Sequence, residues 1–560
     1  MTEEELRIGV FICHCGINIG GVVRVPEVVE YAKTLPGVVY AADNLYTCSA
    51  AGLDAIKKAI KEHRLNRVVV ASCTPRTHEP LFRKTCEEAG LNKYLFEMAN
   101  IREHCSWVHM DDPDRATEKA KDIVRMAVAK ARLLEPLDDI EIEVRPEALV
   151  IGAGPAGMTA ALSLANQGFH VYLVEKEPEV GGMLRKLNRL YPTDRKADEL
   201  LQQLSNAVYQ NSNIEVFTST KIVDVSGFIG NFEVLVRKDG EERKLEVGTI
   251  IVATGAEPLK PTGLYGYGEL EGVITQIELE ERLKEGRLGT PKAVVMIQCV
   301  GSRIPERPYC SRICCATAIK NAILIKQASP QTQVYILYRD LQAYGKEYEE
   351  YYRRAQELGV RFISYTLEKP PEVSRGDGGL KVKVYHAVLG RELTLPADLV
   401  VLSTPLIPPE TNEELSKLLK VPLDRNGFFL EAHVKLRPVD FATDGIYVCG
   451  TAHSPKDVPD SIAQAYAAAS RASIPMANRR VVAEGIVAEV NKDRCIGCAL
   501  CVDLCPFKAS RIGEDGKAEV IKVLCKGCGV CAASCPQRAI TMKNFTDSQI
   551  LAQVEAAFKG

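Results

Sequence analysis

Two apolar rhythms alternate along the first 130 residues. The continuous runs RIGVFIC and NRVVVASC have the length and β-branched content of buried parallel strands, whereas PEVVEYAKTL and AGLDAIKKAIKEH repeat apolar residues every three to four positions, as amphipathic helices do. A longer charged-apolar helix, DRATEKAKDIVRMAVAKARLL, closes this stretch before the linker EPLDDIEIEVRP. The pattern predicts a small α/β layer domain, with its linker, over residues 1–145. A second α/β region, residues 146–484, opens on the buried strand ALVIG and a glycine-rich turn. It is interrupted by a middle segment, about 258–400, which is entered through glycine- and proline-punctuated chain and carries the strand KAVVMIQCVGS. Residues 485–560 form a third domain, in which Cys495 and Cys525 open equivalent motifs 30 residues apart, the internal repeat visible in the sequence. Its tail, FTDSQILAQVEAAFKG, offers Thr546 or Asp547 as N-cap, and Ile550, Val554 and Phe558 repeat at i, i+4 and i+8 beside polar Gln549, Gln553 and Lys559. This predicts a helix whose apolar stripe lies against its own cysteine-rich module or, alternatively, against a neighbouring subunit or a second copy.

At 560 residues and 46% hydrophobic content the chain has material for three or four domains of roughly 150 residues each. Seventy Lys+Arg against 73 Asp+Glu leave a net charge of −3 without long like-sign runs, which excludes an electrostatic footprint for nucleic acid or an anionic membrane. No stretch approaches a membrane span, and MTEEELRIGVFICHCG lacks the basic-then-apolar layout of a secretory signal, so a soluble cytoplasmic protein is expected. Nineteen cysteines are many for that compartment and awkward as an odd number for a pure disulfide framework. Metal or redox chemistry is the explanation that fits.

Eight cysteines carry the clearest signal. Cys495, Cys498, Cys501 and Cys505, and again Cys525, Cys528, Cys531 and Cys535, stand as C-x2-C-x2-C-x3-C-P. Three thiolates on one tight loop offer three corners to a cubane, and the fourth cysteine of each run ligates the other cluster. One [4Fe–4S] cluster is therefore expected on Cys495, Cys498, Cys501 and Cys535, and a second on Cys525, Cys528, Cys531 and Cys505. Zinc also uses C-x2-C pairs and is the weaker rival.

The turn Gly152-Ala153-Gly154-Pro155-Ala156-Gly157 lies between a strand and a helix, where glycines admit a dinucleotide pyrophosphate to the helix N-terminus. Glu175, with Lys176 beside it, ends the strand VYLVE, where a carboxylate can accept the adenosine ribose hydroxyls; Gly182 and Met183 follow. The segments TIIVATGAEP, with Thr254 and Gly255, and GIYVCGTAHSPKDVPDSIAQAYAAA, with Gly450, Thr451 and Ala463, resemble the second and third flavin-contacting motifs of thioredoxin reductase-like flavoproteins. FAD is the expected cofactor. Thr451 stands where such flavoproteins usually carry Asp for the ribityl chain. Lys456, in the loop before the last helix, is a candidate for tuning the flavin, or else a loop-capping lysine; no catalytic residue is assigned. The middle strand VVMIQCVGSR offers only Gly301 where a nicotinamide site repeats the glycine fingerprint, so NAD(P)H binding is not expected.

Cys299, Cys310, Cys314 and Cys315 fit neither a zinc finger nor a CxxC dithiol, and a third cubane is the preferred reading; buried structural thiols or a redox disulfide are the alternatives. Together with the HCG around Cys15, ASCTPRTHEPLF, QCVGSR leading to Cys310, and PKDVPDSIAQA, this set resembles the A-type, flavin and iron–sulfur subunits of the heterodisulfide reductase family over essentially the whole chain. The resemblance implies α/β architecture throughout: an N-terminal α/β domain, a thioredoxin reductase-like FAD-binding Rossmann domain pair, and a C-terminal α+β bacterial-type 2[4Fe–4S] ferredoxin domain. It implies an oxidoreductase subunit that takes electrons from a hydrogenase, formate- or NADH-oxidising module. They pass to a disulfide or ferredoxin-type acceptor through B- and C-like subunits, with flavin-based bifurcation in some members and more than one copy of the chain per complex. A non-catalytic electron wire and docking subunit, or a stand-alone NAD(P)H oxidoreductase of the glutamate synthase small-subunit type, are the alternatives. No cysteine occurs from residue 106 to 298, so the inserted ferredoxin module of longer members is absent. Cys13, Cys15, Cys48, Cys73 and Cys105 match no ligand spacing.

Overall fold

A computed structural model of the chain describes residues 5–376 and 378–558. Two compact units emerge, one built from the residues up to Glu141 together with those from Val482 onward, the other from Ile142–Val481. Among the described residues no helix is long and apolar enough to cross a membrane.

In the first unit the two continuous apolar runs become Ile8–Cys13 and Arg67–Ser72, buried at every position. They occupy the centre of a four-stranded parallel sheet flanked by Val38–Asn44 and Phe96–Asn100. Parallel pairing demands crossovers, supplied by the helices Val25–Lys33, Ala50–Glu62 and Pro75–Glu88. The charged-apolar helix forms at Pro113–Ala131, capped by Asp112, whose side chain accepts the Arg115 N–H at 3.1 Å.

The cysteine-rich part of this unit holds two antiparallel strand pairs, Ala488–Val490 with Ile540–Met542 and Ser510–Ile512 with Ala518–Val520. Its last helix, Asp547–Ala557, starts at the expected N-cap, Thr546, in a capping box with Gln549. The face it buries differs from the stripe expected. Gln549 and Ala556 are covered, whereas Ile550, Val554 and Phe558 are exposed; Lys559 lies outside the described residues. The helix packs on Pro113–Ala131, not on the cluster module. Directed polar contacts accompany this seating: Gln549 Nε2 donates to the Leu133 carbonyl at 2.7 Å, and Arg125 Nε donates to the Ala556 carbonyl at 2.6 Å. Arg125 thereby satisfies an end carbonyl that the helix cannot satisfy itself.

The second unit contains a topological repeat that the sequence does not show. One five-stranded parallel sheet runs in the order Ile214–Phe217, His170–Val174, Glu147–Ile151, Thr249–Val252, Ile446–Val448; the other runs Val273–Thr275, Leu399–Leu402, Ala293–Ile297, Gln333–Tyr338, Arg361–Ser364. In each a three-stranded antiparallel meander is inserted ahead of one inner strand: Lys221–Val247 before Thr249–Val252, and Glu372–Ala397 before Leu399–Leu402. Both sheets therefore present the carboxyl ends of parallel strands, the edge at which such folds bind ligands.

Candidate functional site

At the carboxyl end of Glu147–Ile151 the glycine turn separates packing from binding. A Cβ on Gly157 would lie 1.8 Å from the Gly152 carbonyl oxygen, so this glycine lets the Pro155–Ala165 helix close onto the turn. A Cβ on Gly154 would meet nothing within 4 Å. That open space in front of a helix N-terminus is a cradle of the kind a pyrophosphate fills, and the residues present fit FAD. Gly182 crosses directly over it, a Cβ there falling 3.1 Å from Gly154 Cα, and half-buried Met183 follows. Glu175 is buried and accepts the Ala153 N–H at 2.7 Å and the Glu177 N–H at 2.9 Å, which fixes its carboxylate beside the turn. Lys176 instead points outward, 3.6 Å from Glu257.

The adjoining strands bring the other candidates to the same edge. Gly255, after Thr249–Val252, has Thr451 Oγ1 as the nearest atom to its missing Cβ, at 3.7 Å, and Thr254 Oγ1 lies 3.4 Å from Asn412. Gly450 has φ +70° and approaches Ala156 so closely that a Cβ would fall 2.8 Å away. Ala463 is exposed on the Val458–Asn478 helix. Lys456 is buried beneath this turn, its Nζ donating to the carbonyls of Gly450 at 2.6 Å and Ser454 at 2.8 Å. Burial, reinforced by Arg312, pulls its pKa down to about 8. Next to it is a network that sequence reasoning missed: the His453 ring bridges Glu431 at 2.9 Å and Gln464 at 3.0 Å. Burial, with Lys456 nearby, lowers the His453 pKa against the opposing pull of Glu431.

In the middle sheet, the connection from Ala293–Ile297 to the Cys314–Ala328 helix carries Cys299, Cys310, Cys314 and Cys315. The four thiols are electrostatic neighbours: burial raises the Cys314 pKa, and the sulfurs of Cys315, Cys299 and Cys310 raise it further. Cys315 is pushed up to about 11 by burial and by the same two neighbours, Cys299 and Cys310. Each sulfur has a polar group against it. The Arg303 guanidinium faces Cys299, the Arg312 N–H lies 3.3 Å from Cys310 Sγ, the Ser311 side chain meets Cys314, and the Gln342 N–H meets Cys315. Left-handed backbone at Cys299, Arg303 and Arg312, uncommon for non-glycine residues, wraps the connection around the thiols. Polar contacts tie this segment to the turn at Gly450. Arg312 reaches Asp460 at 3.7 Å, and the Tyr348 hydroxyl donates to Asp457, the N-cap of the Val458–Asn478 helix.

The C-terminal cysteines line two small recesses, one with Cys495, Cys498, Cys501 and Cys535, the other with Cys505, Cys525, Cys528 and Cys531. The halves repeat each other in detail. Ala518 N–H donates to Cys495 Sγ at 3.3 Å as Ala488 N–H does to Cys525 at 3.4 Å, and Ala509 N–H donates to Cys505 at 3.2 Å as Ala539 N–H does to Cys535 at 3.3 Å. Backbone donors stabilise thiolate sulfur and suit a cluster.

In the first unit Cys13, Cys15, Cys48 and Cys73 gather at the carboxyl edge of the sheet. Arg102 Nη1 lies 3.3 Å from Cys15 Sγ, and the Thr47 and Cys15 N–H groups donate to Cys13 Sγ at 3.4 and 3.3 Å. Cys48 and Cys73 are raised mainly by burial and also feel Cys15. Cys105 stands apart, its thiol donating to the Ala116 carbonyl at 3.0 Å. The signal that these four belong together was their position, each at or just beyond the end of a strand on one sheet edge.

Comparison with known proteins identifies the relatives of this chain. The family model described as pyridine nucleotide-disulphide oxidoreductase matches residues 146–472, and the 4Fe-4S dicluster domain matches residues 486–542. The A-type subunit of the H(2):CoB-CoM heterodisulfide,ferredoxin reductase of Methanothermobacter marburgensis is 44% identical, covering 99% of this chain and 98% of its own. An A-type iron-sulfur subunit of the CoB--CoM heterodisulfide reductase of Methanopyrus kandleri is 44% identical over 92% of this chain and 93% of its own. A protein of Archaeoglobus profundus described as like the A-type heterodisulfide reductase subunit is 39% identical over 100% and 99%. The chain is an oxidoreductase that holds FAD and [4Fe–4S] clusters. With nearly the full length of both partners aligned and both domain models falling on the glycine turn and the cysteine repeat, it belongs to the family of A-type heterodisulfide reductase subunits.

Proposed function

We propose that this electron-transfer subunit moves electrons from a hydrogenase, formate- or NADH-oxidising module to a disulfide or ferredoxin-type acceptor reached through B- and C-like subunits. The Methanothermobacter relative is named for hydrogen, a heterodisulfide and ferredoxin, which supports that direction. FAD supplies the exchange between electron pairs and single electrons, and [4Fe–4S] clusters carry the single electrons. Gly152, Gly154 and Gly157 shape the pyrophosphate cradle and Glu175 holds the adenosine side. Thr254, Gly255, Gly450 and Thr451 line the far end, with Lys456 holding the Gly450 turn from below. The observation that carries the proposal is the Cys299 set, four converging thiols in the same compact unit as the glycine turn and joined to the Gly450 segment through Arg312 and Tyr348. It offers a one-electron exit beside the flavin site, and the eight C-terminal cysteines offer two further stations. Flavin-based bifurcation is the finer form of the proposal.

Iron and sulfide analysis of anaerobically purified protein, expected to give about twelve iron atoms, tests the third station. Cys314→Ala should remove about four of them, keep FAD bound, and leave the flavin reducible by the donor module while acceptor reduction stops. Acceptor reduction at the wild-type rate in that variant would refute the route.

A further inference from the structure

The polar groups around the Cys299 set are not equivalent. At Cys310 and Cys315 the donors are backbone amides, and at Cys314 the partner is a hydroxyl side chain, all neutral. At Cys299 it is the Arg303 guanidinium, in hydrogen-bond contact with the thiol and with the Arg339 charge acting from further off, and that difference in charge has an electrostatic consequence. The Arg303 side chain is 25% exposed, whereas Asp340, the carboxylate paired with it, is 61% exposed. In an ion pair of this shape water screens the carboxylate half more than the guanidinium half that faces the sulfurs. The sulfurs therefore feel a net positive field.

The rest of the segment holds this charge in place. Arg339 Nη1 donates to the carbonyls of Ser302 at 3.4 Å and Arg303 at 3.0 Å, pinning the turn that carries the guanidinium. The Asp340 carbonyl accepts from Cys315 Sγ at 3.8 Å, so one residue orients Arg303 and also touches the last cysteine of the set. In the C-terminal module the corresponding contacts to Cys495, Cys505, Cys525 and Cys535 are all backbone amides.

We propose that Arg303 sets the reduction potential of the iron–sulfur centre at the Cys299 set, raising it by holding a positive charge against a ligand sulfur. The inference rests on reading that set as a cluster site. One-electron reduction adds one negative charge to the centre; no bond at Arg303 forms or breaks, and no proton leaves it, because a guanidinium stays protonated throughout. Its field is present in both oxidation states and favours the one holding the extra electron. Arg303 is thus a positioning residue acting through Cys299, and it biases single electrons toward this centre.

The test is an EPR-monitored redox titration of the full-length protein, purified anaerobically. Arg303→Gln should lower the midpoint of one centre by at least about 59 mV, the one-electron equivalent of a tenfold change in the equilibrium, and leave the other centres unmoved. Asp340→Asn removes the screened carboxylate but keeps the guanidinium, and should move the same centre upward. Opposite shifts separate a charge effect from a packing disturbance, which would not reverse sign between the two variants. Wild-type protein with about eight iron atoms would remove the cluster reading itself; about twelve atoms with no shift in Arg303→Gln would overturn the role of Arg303 alone. Should Arg303→Gln lose its cluster, Asp340→Asn decides: an upward shift supports the proposal, and an unchanged or lower midpoint overturns it.

Discussion

Replacing Gly154 by Val should empty the flavin site without unfolding the protein, and the glycine turn supplies the magnitude. The backbone at Gly154, φ −73° and ψ −176°, is extended chain that a β-branched residue adopts freely, and the new side chain would enter space where nothing lies within 4 Å. The cost thus falls on the ligand. A valine in the cradle separates the pyrophosphate from the first-turn amides of Pro155–Ala165, of which Ala156 and Gly157 carry the first available N–H groups because Pro155 has none. Two charge-assisted bonds at about 1.5–3 kcal/mol each amount to about 3–6 kcal/mol, or roughly a 140- to 20,000-fold weaker Kd. Calorimetric titration of FAD into flavin-depleted protein reads this directly, and iron content and thermal unfolding on the same sample show that the fold survives. Gly157→Ala is the contrast, because its methyl collides with the turn itself and should lower stability as well as binding. A Gly154→Val protein that binds FAD within tenfold of wild type would refute the assignment of that space.

Three further outcomes follow from other parts of the molecule. Lys456, with a pKa of about 8 in the fold against about 10.4 unfolded, should give the oxidised flavin spectrum an inflection near that pH, absent in Lys456→Met; a flat wild-type titration would refute a flavin-tuning role for this lysine. The same shift means that unfolding takes up a proton between the two values, so this lysine's contribution to stability rises with pH across the window and is lost as pH falls through about 8. Arg125→Gln removes bonds to the Ala556 carbonyl and the Tyr31 hydroxyl and should cost about 2 kcal/mol in urea unfolding of the first unit, with full iron retained; lost iron would contradict the seating of the last helix on Pro113–Ala131. The isolated chain should not have its flavin bleached rapidly by NADH, because the position a side chain would take at Gly301 is already filled by Leu259, 2.6 Å away, and the connection that would cradle a nicotinamide dinucleotide carries the cysteines. Fast bleaching would overturn this.

The parts legible in the sequence are those where one local rule decides the outcome. Ile8–Cys13 and Arg67–Ser72 read as buried strands because parallel strands covered on both faces tolerate no polar alternation. The cysteine spacing fixes which thiols share a recess because C-x2-C-x2-C loops are too short to arrange themselves otherwise. Thr546 reads as a cap from its neighbours alone. Long-range partners are a different matter. Nothing local to Cys13, Cys15, Cys48 or Cys73 brings them to one edge; the sheet order does, and sheet order is a tertiary fact. His453, Glu431 and Gln464 meet for the same reason, from three separated stretches of chain.

The last helix and the middle sheet show how a correct local pattern still leaves the decision open. The spacing of Ile550, Val554 and Phe558 does define a face, but amphipathicity says only that two faces differ, and the covered one is chosen by which neighbour offers complementary groups. Within the chain, a helix end with bare carbonyls and a Gln side chain meets Arg125 and the Leu133 carbonyl, and the apolar stripe faces away from that contact. In the middle sheet the parallel order and the inserted meander repeat those of the flavin sheet, yet the turn that would announce the repeat carries only Gly301, among Cys299, Cys310, Cys314 and Cys315. Sheet topology is held by the apolar strands, whereas ligand choice resides in the few residues beyond the strand ends. The same scaffold can therefore present a pyrophosphate cradle at one edge and converging thiols at the other, and the change in chemistry that this connection carries is the one that hides the repeat from the sequence.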